Sequence, residues 1–156
     1  MKELIDILKE KHKTISTMES CTGGGVANAI TNIEGSSDIF SFGAVTYSNE
    51  FKIKMGVDSK LIEEYSVYSI EVAKEMSRVI SGFTNSDYGI GITGKLNRVD
   101  KNNLYGEDNK VFISIYDKNN NSYTTDIVKV TDLTRKDNKD KIIDVIINKM
   151  LDIINK

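Results

Sequence analysis

A chain of 156 residues, 39% hydrophobic and 28% charged, is long enough to bury one core unaided and too apolar to be disordered. Its net charge of −2 offers no general attraction to nucleic acid or to an anionic membrane surface, so neither is an expected partner. Cys21 is the single cysteine, no apolar run reaches membrane-span length, and Met1–Asp6 is charged where a secretion signal needs an apolar stretch; the expected location is cytoplasmic.

In chain order, Leu4, Ile5, Ile7 and Leu8 fall at helical spacing within Met1–Lys11. Thr14–Met18 alternates as a short strand that ends at Glu19-Ser20. The small-residue turn Cys21-Thr22-Gly23-Gly24 then opens a helix over Gly23–Ile33, which Gly35-Ser36-Ser37 breaks. Ile39–Tyr47 reads as a second strand, with Gly43 a bulge or a close backbone approach. Asn49–Met55 and Asp58–Tyr65 are short helical pieces with an Asn or Asp cap. Ser69 caps the clearest helix, whose apolar face is Val72, Met76, Val79, Ile80 and Phe83.

Tyr88–Thr93 is a third strand. Residues 95–109 are polar, Asn-rich and aperiodic, which predicts a loop. Val111–Tyr116 and Tyr123–Val130 form a hairpin around Lys118-Asn119-Asn120-Asn121, and Asp137–Ile154 is a closing helix. This order predicts one α/β domain over residues 1–156, a three-layer α/β/α sandwich with a mixed β-sheet.

Two glycine motifs fail on context. Gly89-Ile90-Gly91-Ile92-Thr93-Gly94 spells a dinucleotide fingerprint, but no helix follows its third glycine. Lys95 extends it toward a phosphate-binding loop, but Leu96 stands where Ser or Thr must hold magnesium. Gly89 and Gly91 are better explained by a tightly packed strand. His12, the one histidine, lies between Lys11 and Lys13 at an exposed helix end. One Cys and one His cannot build a structural zinc site.

Two segments can carry chemistry. Glu19-Ser20-Cys21-Thr22-Gly23-Gly24 places hydroxyls where a strand enters a helix, so unpaired N–H groups converge on an oxyanion or phosphate. Thr46-Tyr47-Ser48-Asn49-Glu50-Phe51-Lys52 leaves the next strand for a short helix, a corner that brings Tyr47 and Lys52 toward the first turn. On residue types alone, the simpler account is stronger: Ser20 and Thr22 cap a helix, and Lys52 is solvated.

The wording of these segments changes that balance. Glu19-Ser20-Cys21-Thr22-Gly23-Gly24, Gly35-Ser36-Ser37, Val45-Thr46-Tyr47-Ser48-Asn49-Glu50-Phe51-Lys52 and Gly56-Val57 resemble the CinA C-terminal domain family of competence/damage-inducible proteins. Ser69-Ile70-Glu71-Val72-Ala73-Lys74-Glu75-Met76 and Thr93-Gly94 continue the match in order. The resemblance implies an α/β/α sandwich and a metal-free, cofactor-free nicotinamide-nucleotide amidase, converting nicotinamide mononucleotide to nicotinate mononucleotide and ammonia. It implies Ser20 as nucleophile, Lys52 as its base and Tyr47 as a supporting hydroxyl. Cys21, Thr22, Gly23 and Gly24 would supply oxyanion contacts and Thr93 would line the pocket. Gly35 and Ser37 would lie near the nucleotide, with Arg135 reaching its phosphate. With nineteen residues before Ser20, it also implies the stand-alone form of the family; homo-oligomerisation stays open.

The match weakens after Gly94. The family continues with a Gly- and Pro-rich loop beside the pocket, whereas this chain reads Lys95-Leu96-Asn97-Arg98-Val99 through Tyr105-Gly106-Glu107-Asp108-Asn109. Leu96 and Arg98 put bulk where small residues allow close approach. Three readings stay open: an amidase with an altered loop, an inactive paralogue that binds a nucleotide or protein, and an amidase of different substrate.

Overall fold

The structure, a computed structural model, describes residues 1–156. Its elements are α1 (Lys2–Glu10), β1 (Ile15–Glu19), α2 (Gly25–Thr31), β2 (Phe40–Val45), α3 (Asn49–Lys54), α4 (Ser59–Tyr65), α5 (Ile70–Thr84), β3 (Tyr88–Gly94), β4 (Lys110–Asp117), β5 (Ser122–Lys129) and α6 (Arg135–Ile154). The strands form one sheet in the order β2-β1-β3-β4-β5. β1 pairs in parallel with both β2 and β3, while β3, β4 and β5 pair antiparallel. The mixed character follows from the connections: helical crossovers join the first three strands, and shorter non-helical connections join the rest.

Helices cover both faces, giving the expected three layers. On one face Leu4, Leu8, Val26, Ile30, Ile142, Ile146 and Met150 pack against Ile90, Ile92, Ile113 and Ile115. On the other, Val72, Met76 and Ile80 of α5 pack with Met18, Val57 and Val67. Strand alternation explains the double-glycine motif of β3: Ile90 and Ile92 face the first core, so Gly89 and Gly91 face α5. A Cβ on Gly89 would lie 2.0 Å from the Ser77 carbonyl oxygen, and one on Gly91 2.3 Å from that of Ala73. Ala73, Ser77 and Ser81 are correspondingly small and buried, so α5 rests on the strand backbone itself.

Several boundaries differ from expectation. α2 spans only Gly25–Thr31, because Gly23 and Gly24 adopt positive φ and prolong the turn. Ser48, not an Asn, caps α3 by accepting from the Phe51 N–H, whereas Asp58 caps α4 and Ser69 caps α5. α6 starts two residues early, capped by Thr134. Phe83 is 65% exposed rather than core, and its ring lies 5.3 Å from that of Phe42. No helix is long and apolar enough to cross a membrane.

Candidate active site

Two backbone hydrogen bonds bring the candidate segments together. The Ser20 N–H donates to the Ile92 carbonyl (3.0 Å), so the end of β1 remains tied to β3. The Thr46 N–H donates to the Glu19 carbonyl (2.8 Å), which sets the exit of β2 beside that of β1. The chain then turns at the Ser48 cap into α3, and one turn later Lys52 reaches back. Its Nζ donates to the Thr46 carbonyl (2.7 Å) and lies 3.1 Å from Ser20 Oγ. Lys52 is 2% exposed, so the reading of it as a solvated lysine is wrong.

Burial sets the electrostatics of this pair. It lowers Lys52 from the ordinary lysine value to about 8, because the charged amine loses its water. A Cys21 thiolate or the Asp100 carboxylate would favour the ammonium form. Burial also pushes the Cys21 thiol up to about 12, so Cys21 is uncharged where Lys52 titrates and Asp100 is the effective opposing charge. Glu19 points elsewhere: its carboxylate accepts from Thr22 Oγ1 (2.6 Å) and from the N–H groups of Val26 (3.0 Å) and Ala27 (2.8 Å). Glu50 is paired with Lys54 on the exposed side of α3.

Ser20 opens into a cleft of about 510 Å³ walled by the β1–α2 turn, the β2–α3 corner, the segment before α5, residues 94–103 and the start of α6. Of the expected site residues, Cys21, Tyr47 and Arg135 line this cleft with Ser20. The Tyr47 hydroxyl accepts from Arg135 Nη2 (3.3 Å) rather than bonding Ser20 or Lys52. Thr22, Gly23 and Gly24 line a separate depression against Lys136 and Lys139, so the turn does not act as one cradle. The Gly23 N–H donates to the Ser20 carbonyl, leaving Cys21 as the cleft-side turn amide without a backbone acceptor. Thr93 is fully buried and donates to the Val67 carbonyl (2.9 Å), so its hydroxyl faces α5 and not the cleft. Gly35 and Ser37 precede the start of β2, which pairs with the start of β1, at the opposite end of the sheet from Ser20.

The loop over 95–109 adds Asp100 and Asn103, which the sequence patterns did not single out, to the cleft wall. Lys95 is buried, pairs with Asp108 (3.0 Å) and lies over the Tyr68 ring. Leu96 packs into the core and borders the cleft, which Arg98, Val99 and Asp100 also line. The Tyr68 hydroxyl donates to Asp100, whose carboxylate also accepts from Asn103 Nδ2 and the Asn102 N–H. Asp100-Lys101-Asn102 forms an Asx turn, a local signal that was legible; the bonds to Tyr68 and Asn49 join distant segments and left no trace in periodicity.

Comparison with known proteins identifies the family and the fold. The family model described as CinA C-terminal domain matches residues 1–154. A competence-damage inducible protein of Moorella thermoacetica is 48% identical over 89 residues, covering 56% of this chain and 22% of its own length. The CinA-like protein of Endomicrobium trichonymphae is 45% identical over 89 residues, covering 56% and 21%. The matched segment is thus about a fifth of each of these relatives. Among solved structures, a CinA superfamily protein of Klebsiella pneumoniae superposes with TM-score 0.90 at 19% identity, covering 99% of this chain and 94% of the other. A competence/damage inducible protein of Agrobacterium tumefaciens gives 0.84 at 24% identity, covering 99% and 95%; at such identities the likeness shows the fold alone. With a family model matched over nearly its whole length, the chain belongs to the CinA C-terminal domain family.

Proposed function

We propose that this domain is an amidohydrolase using a Ser20–Lys52 pair, with nicotinamide mononucleotide as the first substrate to test. The observation that carries the reading is the buried Lys52 amine 3.1 Å from Ser20 Oγ, with its proton affinity lowered to about 8. A serine hydroxyl is a poor nucleophile and an amide a poor electrophile, so attack needs a base able to be neutral near physiological pH.

Neutral Lys52 keeps an N–H for the Thr46 carbonyl and offers its lone pair to the Ser20 hydroxyl. Ser20 Oγ bonds to the carboxamide carbon as its proton passes to Lys52, and the carbonyl oxygen becomes an oxyanion. The Cys21 N–H is the cleft-side donor available to that oxygen. Collapse breaks the C–N bond, and the nitrogen takes the proton from Lys52 and leaves as ammonia. Water then attacks the Ser20 ester and gives a proton to Lys52; as the ester bond breaks, Ser20 Oγ takes that proton back from Lys52 and the carboxylic acid is released. Arg135, with Tyr47 as its partner, offers an anion contact for a phosphate at the cleft mouth.

Ammonia release from nicotinamide mononucleotide, lost in Ser20→Ala and Lys52→Met, is the test. No release by the purified domain, with Ser20 inert to acylating reagents, would sink the reading. A second reading, an amidase of a different anionic substrate, is favoured by Arg98 and Val99 facing the cleft. Release from another phosphate-bearing carboxamide, but not from nicotinamide mononucleotide, would select it.

A further inference from the structure

The loop over 95–109 is tied to the helix that carries Lys52. Asn49, the first residue of α3, donates through Nδ2 to Asn103 Oδ1 (2.9 Å). Asn103 donates through its own Nδ2 to Asp100 Oδ2 (2.9 Å), and the Asn102 N–H donates to Asp100 Oδ1 (2.9 Å). The Tyr68 hydroxyl, from the segment that enters α5, donates to the same carboxylate. Two side chains and one backbone N–H thus meet at the half-buried Asp100 carboxylate on the cleft wall, and Asn103 links it on to Asn49.

α3 is a short helix with no fully buried residue other than Lys52, and its own Phe51 and Ile53 are exposed. Apolar packing therefore does little to fix where it sits. The side-chain bonds at its first turn are the cap from Ser48 and the tether from Asn49 to Asn103. The position of the Lys52 backbone, and so of its Nζ against Ser20, depends on that turn.

We infer that Asp100 is a positioning residue: its carboxylate is the hub through which residues 95–109 hold α3, and with it the Lys52 amine, against Ser20. The inference rests on the Ser20–Lys52 reading. It gives the rewritten loop a task, since charged and amide side chains here do the fixing that a stiff Gly–Pro backbone could do by itself. Burial pulls the Asp100 carboxyl up, but the hydrogen bonds from Tyr68, Asn103 and the Asn102 N–H outweigh it and hold Asp100 below the ordinary carboxyl range. Asp100 is therefore charged throughout the range in which Lys52 titrates. The other ionisable groups lining the cleft are Cys21 from the β1–α2 turn, Tyr47 from the β2–α3 corner, Tyr68 before α5, Lys95 and Arg98 from the loop, and Arg135 from α6.

The test uses two readouts that need no natural substrate. An alkyl fluorophosphonate reports the competence of Ser20: Oγ bonds to phosphorus, fluoride leaves, and the proton goes to Lys52. The 13Cε NMR signal of Lys52, assigned with Lys52→Arg, reports its protonation directly. Asn103→Ala keeps the charge of Asp100 but cuts the tether; it should lower the limiting labelling rate at high pH about tenfold with little change in the Lys52 midpoint. Asp100→Asn keeps an acceptor without the charge; it should label near the wild-type limit, with the midpoint lowered by about half a pH unit. Asp100→Ala should show both changes. Unchanged labelling in folded Asn103→Ala and Asp100→Ala, with an unmoved Lys52 midpoint in Asp100→Ala, would overturn the inference. If wild-type Ser20 fails to label at any pH, the Ser20–Lys52 reading fails. The tether is then judged on the limiting 13Cε chemical shift of neutral Lys52 at high pH, expected to change in Asn103→Ala although the midpoint hardly does; an unchanged limiting shift counts against the tether.

Discussion

Glu19 and Ser20 are neighbours in the chain and face opposite ways: the Glu19 carboxylate closes onto the start of α2, while the Ser20 hydroxyl turns to Lys52. Strand alternation produces this, carried one residue past the end of β1. A carboxylate beside Lys52 would hold it charged; pointed away, the same carboxylate organises the turn that presents Ser20. Glu19→Ala removes the acceptor of three buried or half-buried donors and should destabilise the fold by about 2–4 kcal/mol in chemical denaturation. A loss under about 0.5 kcal/mol would mean that the turn is held by something other than Glu19.

The nucleophile and its base should show in the pH profile. Amide hydrolysis should rise with pH and level off above about 8, the pH at which buried Lys52 gives up its proton. Ser20→Ala and Lys52→Met should each cut the rate by at least about a hundredfold. Cys21→Ser should retain most activity, and Cys21 should react slowly with iodoacetamide at neutral pH, since burial pushes its thiol to about 12. Rapid alkylation that substrate blocks would move the nucleophile one residue along.

Lys52 also leaves a mark on stability. Its value falls from 10.5 to about 8 on folding, so between those pH values the unfolded chain binds the extra proton. Stability from this group therefore rises with pH across that window, and below it the charged amine costs the fold roughly 3 kcal/mol. From about pH 7 to about pH 9.5, wild type should gain about 2 kcal/mol relative to Lys52→Met. The difference between the two proteins cancels the titration of the surface lysines. A flat difference would show that Lys52 is solvated.

Much of this architecture was legible because one-dimensional periodicity decides it. The absence of a helical pattern after Gly94, and Leu96 in place of Ser or Thr, argued against a nucleotide loop and left Gly89 and Gly91 to a tightly packed strand, which β3 is. Ser69 and the Val72–Met76–Ile80 stripe located α5, and the family wording located Ser20 and Lys52. Phe83 misled because, on the last turn of α5, its ring meets only the exposed Phe42 of the edge strand β2 and stays open to solvent. Thr93, Gly35 and Ser37 were carried over from the family by position, and here Thr93 faces α5 while the other two sit at the far end of β2. Beyond the local Asx turn, the role of Asp100 and Asn103 was invisible because the bonds that tie them to the cleft walls reach other segments, Tyr68 some thirty residues away and Asn49 more than fifty.

The rewritten loop makes a final, sharper prediction, since its two bulky residues have different tasks. Leu96 belongs to the core at 4% exposure and also borders the cleft, so Leu96→Gly should cost about 3 kcal/mol or more of stability, which a denaturant titration would show. Arg98 is exposed and lines the cleft, so on the proposed reading its side chain is the bulk that a nicotinamide ring would meet. Arg98→Gly leaves Asp100 and its partners in place and should raise kcat/KM for nicotinamide mononucleotide about tenfold. Replacing the whole loop by a Gly–Pro-rich one would also remove Asp100, so any gain at the ring would be offset by a looser Lys52. If Arg98→Gly instead raises KM with kcat unchanged, Arg98 is a phosphate contact alongside Arg135 rather than an obstruction.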